Sequence, residues 1–284
     1  MDLEKEINDL IARAVAEDIC SGDITSMACL SDNRHTTGTF LLKQSATLAG
    51  LPLLPRLFHS IDPRLEVALA VEEGSSHKAG TIVAKVSGPV RSIMAGERIA
   101  LNLLQHSSGV ATVTAEYVKK IAGIKCDILD TRKTLPGLRA LEKYAVAVGG
   151  GKNHRNGLDD YFLIKSSHLA FLGTSDRHPI AEAVERVKAL DAKLPVEIQI
   201  DNPNHIDEAL KYDFRAIILR NMTLNEIEHS LNAIRRTNKR IYVAFSGNVS
   251  LDTVRTLAES GINGISVAGL TYSVPDIDIG MRLK

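Results

Sequence analysis

The 284-residue sequence has no tryptophan, little aromatic character and only three cysteines, and each scarcity argues against a class of protein. Aromatic residues make up 4% of the chain, so a surface that stacks nucleic-acid bases is not expected. Cys20, Cys29 and Cys126 show no CxxC spacing, which favours reduced thiols over a disulfide framework or a zinc knuckle. An excess of one charge is also missing, because 34 basic side chains balance 34 acidic ones. A protein that binds nucleic acid through its phosphates would normally be basic.

Long hydrophobic runs are absent as well. No apolar run approaches the roughly 20 residues that cross a membrane, and the first ten residues are too acidic and polar for a signal peptide. Apolar residues at 44% and charged residues at 24% are typical of a globular protein. We therefore expect a cytoplasmic protein that binds neither membranes nor nucleic acid.

The first part of the chain has a β-rich pattern with a few helices. Apolar residues recur at helical spacing over residues 3–18, and residues 51–60 form a second helical pattern. The runs 65–71, 80–86 and 90–93 are strand-like and are separated by glycines. The pattern changes near residue 96. We place the domain boundary near residue 105, with the tail 271–284 as a candidate to return to the first domain.

The second part alternates short apolar strands with helices. This alternation, repeated about six times, is typical of a parallel (β/α) barrel or of a doubly wound sheet. No GxGxxG or GxxxxGK[ST] motif follows the first strand, which argues against nucleotide-binding doubly wound folds. The predicted strands are 127–129, 160–164, 196–200, 216–219, 241–244 and 264–267, and the predicted helices are 138–147, 179–192, 204–211, 224–236 and 250–260.

Several cationic side chains follow the first two predicted strands. In barrels the active site is built from the loops after the strands, so these side chains are expected to converge. Guanidinium groups bind carboxylates through two parallel hydrogen bonds, and ammonium groups add point charge. In a protein without net charge, such a cluster predicts a small polyanionic ligand with carboxylates or phosphates. The cluster comprises Arg132, Lys133, His154, Arg155 and Lys165, with His168 shortly after.

Two later loops carry small residues directly after predicted strands. One is Ser246-Gly247-Asn248 and the other includes Ala268 and Gly269. Loops after the last strands of barrels often bind phosphate with backbone N–H groups. We therefore predict that these five residues bind phosphate.

Together these motifs resemble the quinolinate phosphoribosyltransferase family, over nearly the full length of the chain. The longest matching block is DTRKTLPGLR at residues 130–139, and GGKNHR at residues 150–155 is similarly specific. Further matching segments are GERIALN at 96–102, SGVAT at 108–112, LIK at 163–165 and SGN at 246–248.

The resemblance implies a fold, a reaction and an assembly. The expected fold class is α/β, with an N-terminal α/β sandwich domain over residues 1–105 and a C-terminal open (β/α) barrel over residues 106–270, as in type II phosphoribosyltransferases. The expected reaction transfers phosphoribosyl from phosphoribosyl pyrophosphate to quinolinate, with Mg²⁺. It releases pyrophosphate and CO₂ and gives nicotinate mononucleotide for NAD biosynthesis. The expected assembly is a homodimer whose active sites are shared across subunits.

The resemblance also assigns roles to residues. Arg132, Lys133 and Lys165 match catalytic residues, and Arg98 matches an arginine contributed across the dimer. The residues expected to bind quinolinate are Arg98, Arg132, Lys133, His154, Arg155, Lys165 and His168.

The sequence departs from the family where the family places acids. Gln199, Arg220 and Ala244 stand at positions that are acidic in the family. Glu197 and Asp201 share a strand face with Gln199, because side chains alternate along a strand, and they are the candidate metal ligands. An equal alternative is that these two are only the family's neighbouring acids.

Three hypotheses follow from this pattern. The first is an active quinolinate phosphoribosyltransferase with an altered donor site. The second is a diverged enzyme that acts on a pyridine dicarboxylate without the ribosyl donor. The third is a non-catalytic dimer that only senses such a ligand. Binding of phosphoribosyl pyrophosphate distinguishes the first hypothesis from the others.

Overall fold

A computed structural model describes residues 2–31, 33–172, 178–237 and 239–284. The helices are α1 Leu3–Ile19, α2 Ile24–Cys29, α3 Leu53–Ile61, α4 Val90–Lys120, α5 Arg139–Val148, α6 Ser166–Ala170, α7 Pro179–Leu190, α8 Ile206–Ala209, α9 Leu224–Arg235, α10 Val254–Glu259 and α11 Gly269–Tyr272. The strands are β1 His35–Leu42, β2 Ala46–Thr47, β3 Glu66–Leu69, β4 Ser76–His77, β5 Ile82–Pro89, β6 Asp127–Leu129, β7 Phe162–Ile164, β8 Val196–Ile200, β9 Ala216–Arg220, β10 Tyr242–Ser246, β11 Gly264–Ser266 and β12 Ile279–Leu283. The chain divides into two compact units.

The first unit runs to Ala115 and adds Lys133–Gly151 and Gly269–Lys284. Its main sheet is antiparallel, with strand order β12-β1-β5-β3. Along β1 the buried side chains alternate, and Phe40 meets Phe58 of α3 edge to face with ring centroids 6.2 Å apart. This alternation places one face of the sheet against the helices, where the apolar core of the unit lies.

Helix α1 confirms the helical pattern over residues 3–18. The carboxylate of Asp2 accepts hydrogen bonds from the backbone N–H groups of Glu4 and Lys5, at 3.1 and 3.2 Å, which caps the first turn. Ile7 and Leu10 are buried one turn apart on the face that packs into the core. Residues 51–60 likewise correspond to α3.

The sequence pattern predicted a strand over residues 90–93, and this prediction is wrong. These residues form the first turn of α4. A stretch of four residues is too short to distinguish a strand from a helix by its pattern. Val90 and Ile93, the two apolar residues of this stretch, are buried three positions apart on one helical face. The helix also continues without a break through Gly109. A Cβ at Gly109 would lie 2.3 Å from the carbonyl oxygen of Pro275, so glycine is needed for this close approach.

The second unit comprises Glu116–Arg132 and Lys152–Ala268. Its six strands are all parallel, in the order β6-β11-β10-β9-β8-β7. On the free side of β6, Lys152 forms a further parallel bridge with Leu129. All six predicted strands are present, and α7 and α9 lie within their predicted ranges. The antiparallel sheet and the parallel sheet thus confirm the predicted α/β class.

Strand register determines which side chains share the inner face of the parallel sheet. Gln199 pairs with Ile218, which pairs with Ala244, so the three side chains lie in one row on the same side. Ile218 and Ala244 also pack with Leu129 in a small buried cluster. In the part of the chain that the structure describes, no helix is long and apolar enough to cross a membrane.

Candidate active site

The edge at which the parallel strands end collects most of the predicted site residues of the second unit. Parallel strands end at a common edge, so residues distant in sequence meet there. Arg132 follows β6, Lys165 follows β7 and Asp201 follows β8. The same edge carries Arg220 at the end of β9, Ser246, Gly247 and Asn248 at the end of β10, and Ala268 after β11.

His154 is fixed in position at both its backbone and its side chain. Its backbone N–H donates to Oδ1 of Asp130 at 2.7 Å, and Asp130 is buried. Its Nε2 lies 2.9 Å from Oε2 of Glu197, which is also buried. A ring that faces a carboxylate in this way carries its proton on Nε2, so His154 has one preferred orientation.

Arg132 and Arg155 form a pair of cations beside each other. Burial lowers the pKa of Arg155 below its usual value, and the positive charge of Arg132 lowers it further. The Arg155 guanidinium donates to the carbonyl oxygen of Tyr161 at 3.3 Å. Nε of Arg132 is buried and has no hydrogen-bond partner among the described residues. A buried N–H without a partner costs stability, so this pair is suited to receive an anion.

Glu197 lies at the centre of a network that the sequence did not reveal. Burial favours its neutral form, but hydrogen bonds from His154 and Arg215 lower its pKa below the ordinary value. Arg215 also stacks on Tyr161, with Cζ 4.0 Å from the ring centroid. Burial, together with the charge of Glu197, raises the pKa of Tyr161 to about 12, so its hydroxyl stays protonated and donates or accepts as a neutral group.

The missed residues are thus Asp130, Tyr161 and Arg215, which hold the predicted residues His154, Arg155 and Glu197 in place. Asp130 stands inside the DTRKTLPGLR block, which is the one signal that could have drawn attention to it. Nothing in the sequence near Tyr161 or Arg215 indicates their partners, because these are set by the pairing of β7, β8 and β9.

Lys165 and His168 are connected through the start of α6. The backbone N–H of Lys165 donates to Nδ1 of His168 at 3.0 Å. This contact occupies one ring nitrogen of His168 and closes the first turn of the helix, while the His168 residue is exposed. The structure therefore gives His168 a capping contact, and its role in substrate binding stays a prediction.

The candidate metal ligands do not offer a divalent cation an open set of oxygens. Asp201 accepts a hydrogen bond from Nε2 of Gln199 at 3.1 Å and forms an ion pair with Arg220, with Nη1 3.3 Å from Oδ2. Glu197 is held by His154 and Arg215. No group of three or more His, Cys, Asp or Glu side chains that could hold a metal ion occurs in the described ranges. Mg²⁺ prefers carboxylate and water oxygens, so these residues do not fit it.

The predicted phosphate loops follow two neighbouring strands. Ser246 ends β10, and a Cβ on Gly247 would lie 2.8 Å from the ring of Phe245, so only glycine fits without a shift. Ala268 follows β11 in the second unit, and Gly269 begins α11 in the first. Their role in phosphate binding stays a prediction.

Arg98 and Lys133 belong to the first unit. Arg98 is exposed on α4, and the backbone carbonyl of Lys133 accepts a hydrogen bond from Oγ1 of Thr271 at 2.6 Å. Two residues after Lys133, the backbone N–H of Leu135 donates to the buried carboxylate of Glu142 at 3.2 Å. The other oxygen of Glu142 lies 3.0 Å from Nε2 of His106.

The His106–Glu142 pair makes the stability of the first unit depend on pH. The hydrogen bond to Glu142 raises the pKa of His106, although burial opposes the shift, and Asp276 adds a smaller contribution at 3.7 Å. Because the pKa of His106 is higher in the folded state, its protonated form stabilises the fold. This contribution is fully present below the pKa of the unfolded state, ~6.5, and is lost as pH rises through the higher pKa of the folded state. We expect the free energy of unfolding, measured in urea between pH 5.5 and 8.5, to fall with pH in the wild type.

The matched variants for this measurement are His106→Gln and His59→Gln. The first should remove the fall with pH, whereas the second, at an exposed position on α3, should keep it. An equal slope in the wild type and in His106→Gln would show that another group causes the dependence.

Comparisons with known proteins place this geometry in a family. The model described as "Quinolinate phosphoribosyl transferase, C-terminal domain" matches residues 110–282, and the one for the N-terminal domain matches residues 23–108. A probable carboxylating nicotinate-nucleotide pyrophosphorylase of Synechocystis sp. is 35% identical over 98% of this chain and 92% of its own length. The carboxylating nicotinate-nucleotide pyrophosphorylase of Mycobacterium leprae is 36% identical over 97% of this chain and 96% of its own.

A solved structure agrees with this assignment. The nicotinate-nucleotide pyrophosphorylase of Francisella tularensis superposes with a TM-score of 0.89 at 31% identity, covering 99% of this chain and 96% of that one. This likeness confirms the predicted fold class. It also confirms that the resemblance in the motifs extends to the arrangement of the elements.

Proposed function

Because the chain belongs to the quinolinate phosphoribosyltransferase family, we propose that it transfers phosphoribosyl from phosphoribosyl pyrophosphate to quinolinate. The products are nicotinate mononucleotide, pyrophosphate and CO₂, as expected of a pentosyltransferase of NAD biosynthesis. The proposed location is the cytoplasm, which suits the free thiols of Cys20, Cys29 and Cys126.

The observation that carries this proposal is the Arg132–Arg155 pair. Quinolinate is a pyridine ring with two adjacent carboxylates, and each carboxylate can accept two hydrogen bonds from a guanidinium. Nε of Arg132 is buried without a partner among the described residues, so a carboxylate there would supply the missing acceptor. His154 and Lys165 are proposed to contact the same ligand, with Lys165 adding positive charge.

In the proposed reaction the protein mainly positions groups and stabilises charge. The lone pair of the pyridine nitrogen attacks the anomeric carbon of the donor as the bond to pyrophosphate breaks. The quaternised ring then withdraws the electron pair of the bond to the 2-carboxylate, which leaves as CO₂, and a proton takes its place. Cations that hold the carboxylates keep the ring in line for the first step.

The proposed assembly is a homodimer in which each protomer contributes Arg98 to the partner's site. Arg98 is exposed on α4, which is what such a contribution requires. Lys133 and the loops at residues 246–248 and 268–269 are proposed to contact the substrates as the resemblance implies. Mg²⁺ stays a prediction of the resemblance, because the candidate carboxylates Glu197 and Asp201 are held by other side chains and do not fit it.

The proposal is tested by incubating the purified protein with quinolinate and phosphoribosyl pyrophosphate, once with Mg²⁺ and once with EDTA. Nicotinate mononucleotide is followed by chromatography, and release of CO₂ from carboxyl-labelled quinolinate is counted. We expect one CO₂ per nicotinate mononucleotide. Nicotinate, which lacks the 2-carboxylate, is the control acceptor and should react far more slowly.

Two results would contradict the proposal. Binding of quinolinate without product in either condition would favour a protein that only senses the dicarboxylate. Release of CO₂ without nicotinate mononucleotide would favour a decarboxylase that has lost the ribosyl donor.

A further inference from the structure

The row of side chains at the ends of β8, β9 and β10 contains one acid and one base. Asp201 follows β8, Arg220 ends β9 and Ser246 ends β10, and Arg220 and Ser246 are direct partners in the strand register. In the row beneath them, Gln199, Ile218 and Ala244 carry no charge. The two rows together have no surplus of negative charge with which to hold a divalent cation.

Asp201 is engaged by two donors of this same surface. Gln199 donates from its amide at 3.1 Å to Oδ1, and the guanidinium of Arg220 lies 3.3 Å from Oδ2. Both oxygens therefore face donors. A half-exposed ion pair of this kind contributes little to folding stability, so its main effect is to orient the guanidinium.

The end of β9 that carries Arg220 is paired with the start of a loop suited to phosphate. The backbone N–H of Asn221, the residue after Arg220, donates to the carbonyl oxygen of Ser246 at 2.9 Å. This hydrogen bond ties the end of β9 to the Ser246-Gly247-Asn248 turn. Asn221 has a φ of 52°, which turns the chain away directly after Arg220. The residue that carries this oriented cation is thus the register neighbour of Ser246, at the start of a glycine-containing turn.

We propose that Arg220, oriented by Asp201 and Gln199, is the cation that binds the pyrophosphate group of the donor, so that donor binding does not require a divalent metal. The inference rests on the proposed function for the identity of the donor. It depends on Arg220, Asp201 and Gln199 of this chain, where the related family has acids. A guanidinium binds phosphate oxygens through paired hydrogen bonds and carries its charge permanently.

The test measures binding of inorganic pyrophosphate by titration calorimetry, in EDTA and then with Mg²⁺. The wild type is expected to bind in EDTA, and Mg²⁺ should not tighten binding, because pyrophosphate that carries Mg²⁺ has less negative charge for Arg220. Arg220→Gln should weaken binding in EDTA about tenfold to a hundredfold, the usual effect of losing a charge-assisted contact. Arg220→Lys should bind pyrophosphate with an affinity between those of the wild type and Arg220→Gln, since it keeps the charge and loses the paired hydrogen bonds.

The matched control is Arg186→Gln. Arg186 lies exposed on α7 of the same unit and forms an ion pair with Glu182, so its removal should leave pyrophosphate binding unchanged. A further variant, Arg220→Asp with Gln199→Glu, should lose binding in EDTA and regain it with Mg²⁺. Circular dichroism before each titration shows that the variants are folded.

The outcomes separate this inference from the proposed function. The inference is wrong if wild-type binding vanishes in EDTA and returns with Mg²⁺, or if Arg220→Gln binds pyrophosphate as tightly as the wild type. Pyrophosphate binding that depends on Arg220 supports the inference even if no nicotinate mononucleotide forms. The absence of nicotinate mononucleotide would then count only against the proposed transfer reaction.

Discussion

Arg132→Ala is expected to weaken quinolinate binding by about 2–4 kcal/mol, since it removes a charged group that can make two hydrogen bonds to one carboxylate. This corresponds to a rise in Kd of roughly 30-fold to 1000-fold. The physical reason is the state of the arginine before the ligand arrives. Its Nε is buried without a partner among the described residues, so the free protein has already lost the hydration of this group.

Titration calorimetry with quinolinate measures this effect in the absence of the donor. Arg132→Lys should lose part of the affinity, because an ammonium group keeps the charge without the fork of N–H donors. Arg186→Ala, at the exposed pair on α7, should leave the Kd unchanged. A Kd for Arg132→Ala within threefold of the wild type would contradict the assignment of Arg132 to the carboxylate.

Glu197→Ala is expected to have the largest effect on stability, about 3–5 kcal/mol, the usual cost of removing one partner from a buried ion pair. The carboxylate is buried and serves both His154 and Arg215. Its removal leaves the ring of His154 without its hydrogen-bond partner and leaves Arg215 over Tyr161 without a counter-charge. Urea unfolding at pH 7 measures the loss.

The dependence on pH gives an independent check of the same residue. Folding lowers the pKa of Glu197, so its ionised carboxylate stabilises the folded state. This stabilisation is present above the pKa of the unfolded state, ~4.3, and is lost as pH falls through the lower pKa of the folded state. Unfolding of the wild type should therefore become easier in this acidic range, and Glu197→Ala should show less of this change. Glu259→Ala, which breaks the exposed pair with Arg255 on α10, is the control and should cost little at pH 7. A loss below 1 kcal/mol in Glu197→Ala would show that the network relaxes around the missing carboxylate.

The second unit was easier to predict from the sequence than the first. Each strand of the parallel sheet is a short stretch with buried apolar residues between loops, and Val196–Ile200 corresponds to its predicted range without any shift. The error at residues 90–93 has a physical cause, since four residues with apolar side chains only at both ends fit a strand and one helical turn equally well. Only the continuation of α4 through Gly109 decides between them.

The candidate site shows a similar limit. The basic side chains of the site could be predicted from the sequence, because they follow predicted strands and belong to long motifs. The residues that contact them could not be predicted. In the sequence Glu197 was a candidate metal ligand or a neighbouring acid, and its role beside His154 depends on a contact between residues 43 positions apart. The ion pair of Arg220 with Asp201 likewise exists only once β8 and β9 lie side by side.

The pairing of β12 with β1 has a consequence for how the protein is made. The strand Ile279–Leu283 pairs with a strand that begins at His35, far earlier in the sequence. During synthesis one edge of β1 therefore stays unpaired until β12 has been made. Unpaired edges invite aggregation, and contacts between such distant residues slow folding. A chain in which β12 is missing or has not yet paired would thus be prone to associate through the open edge of β1.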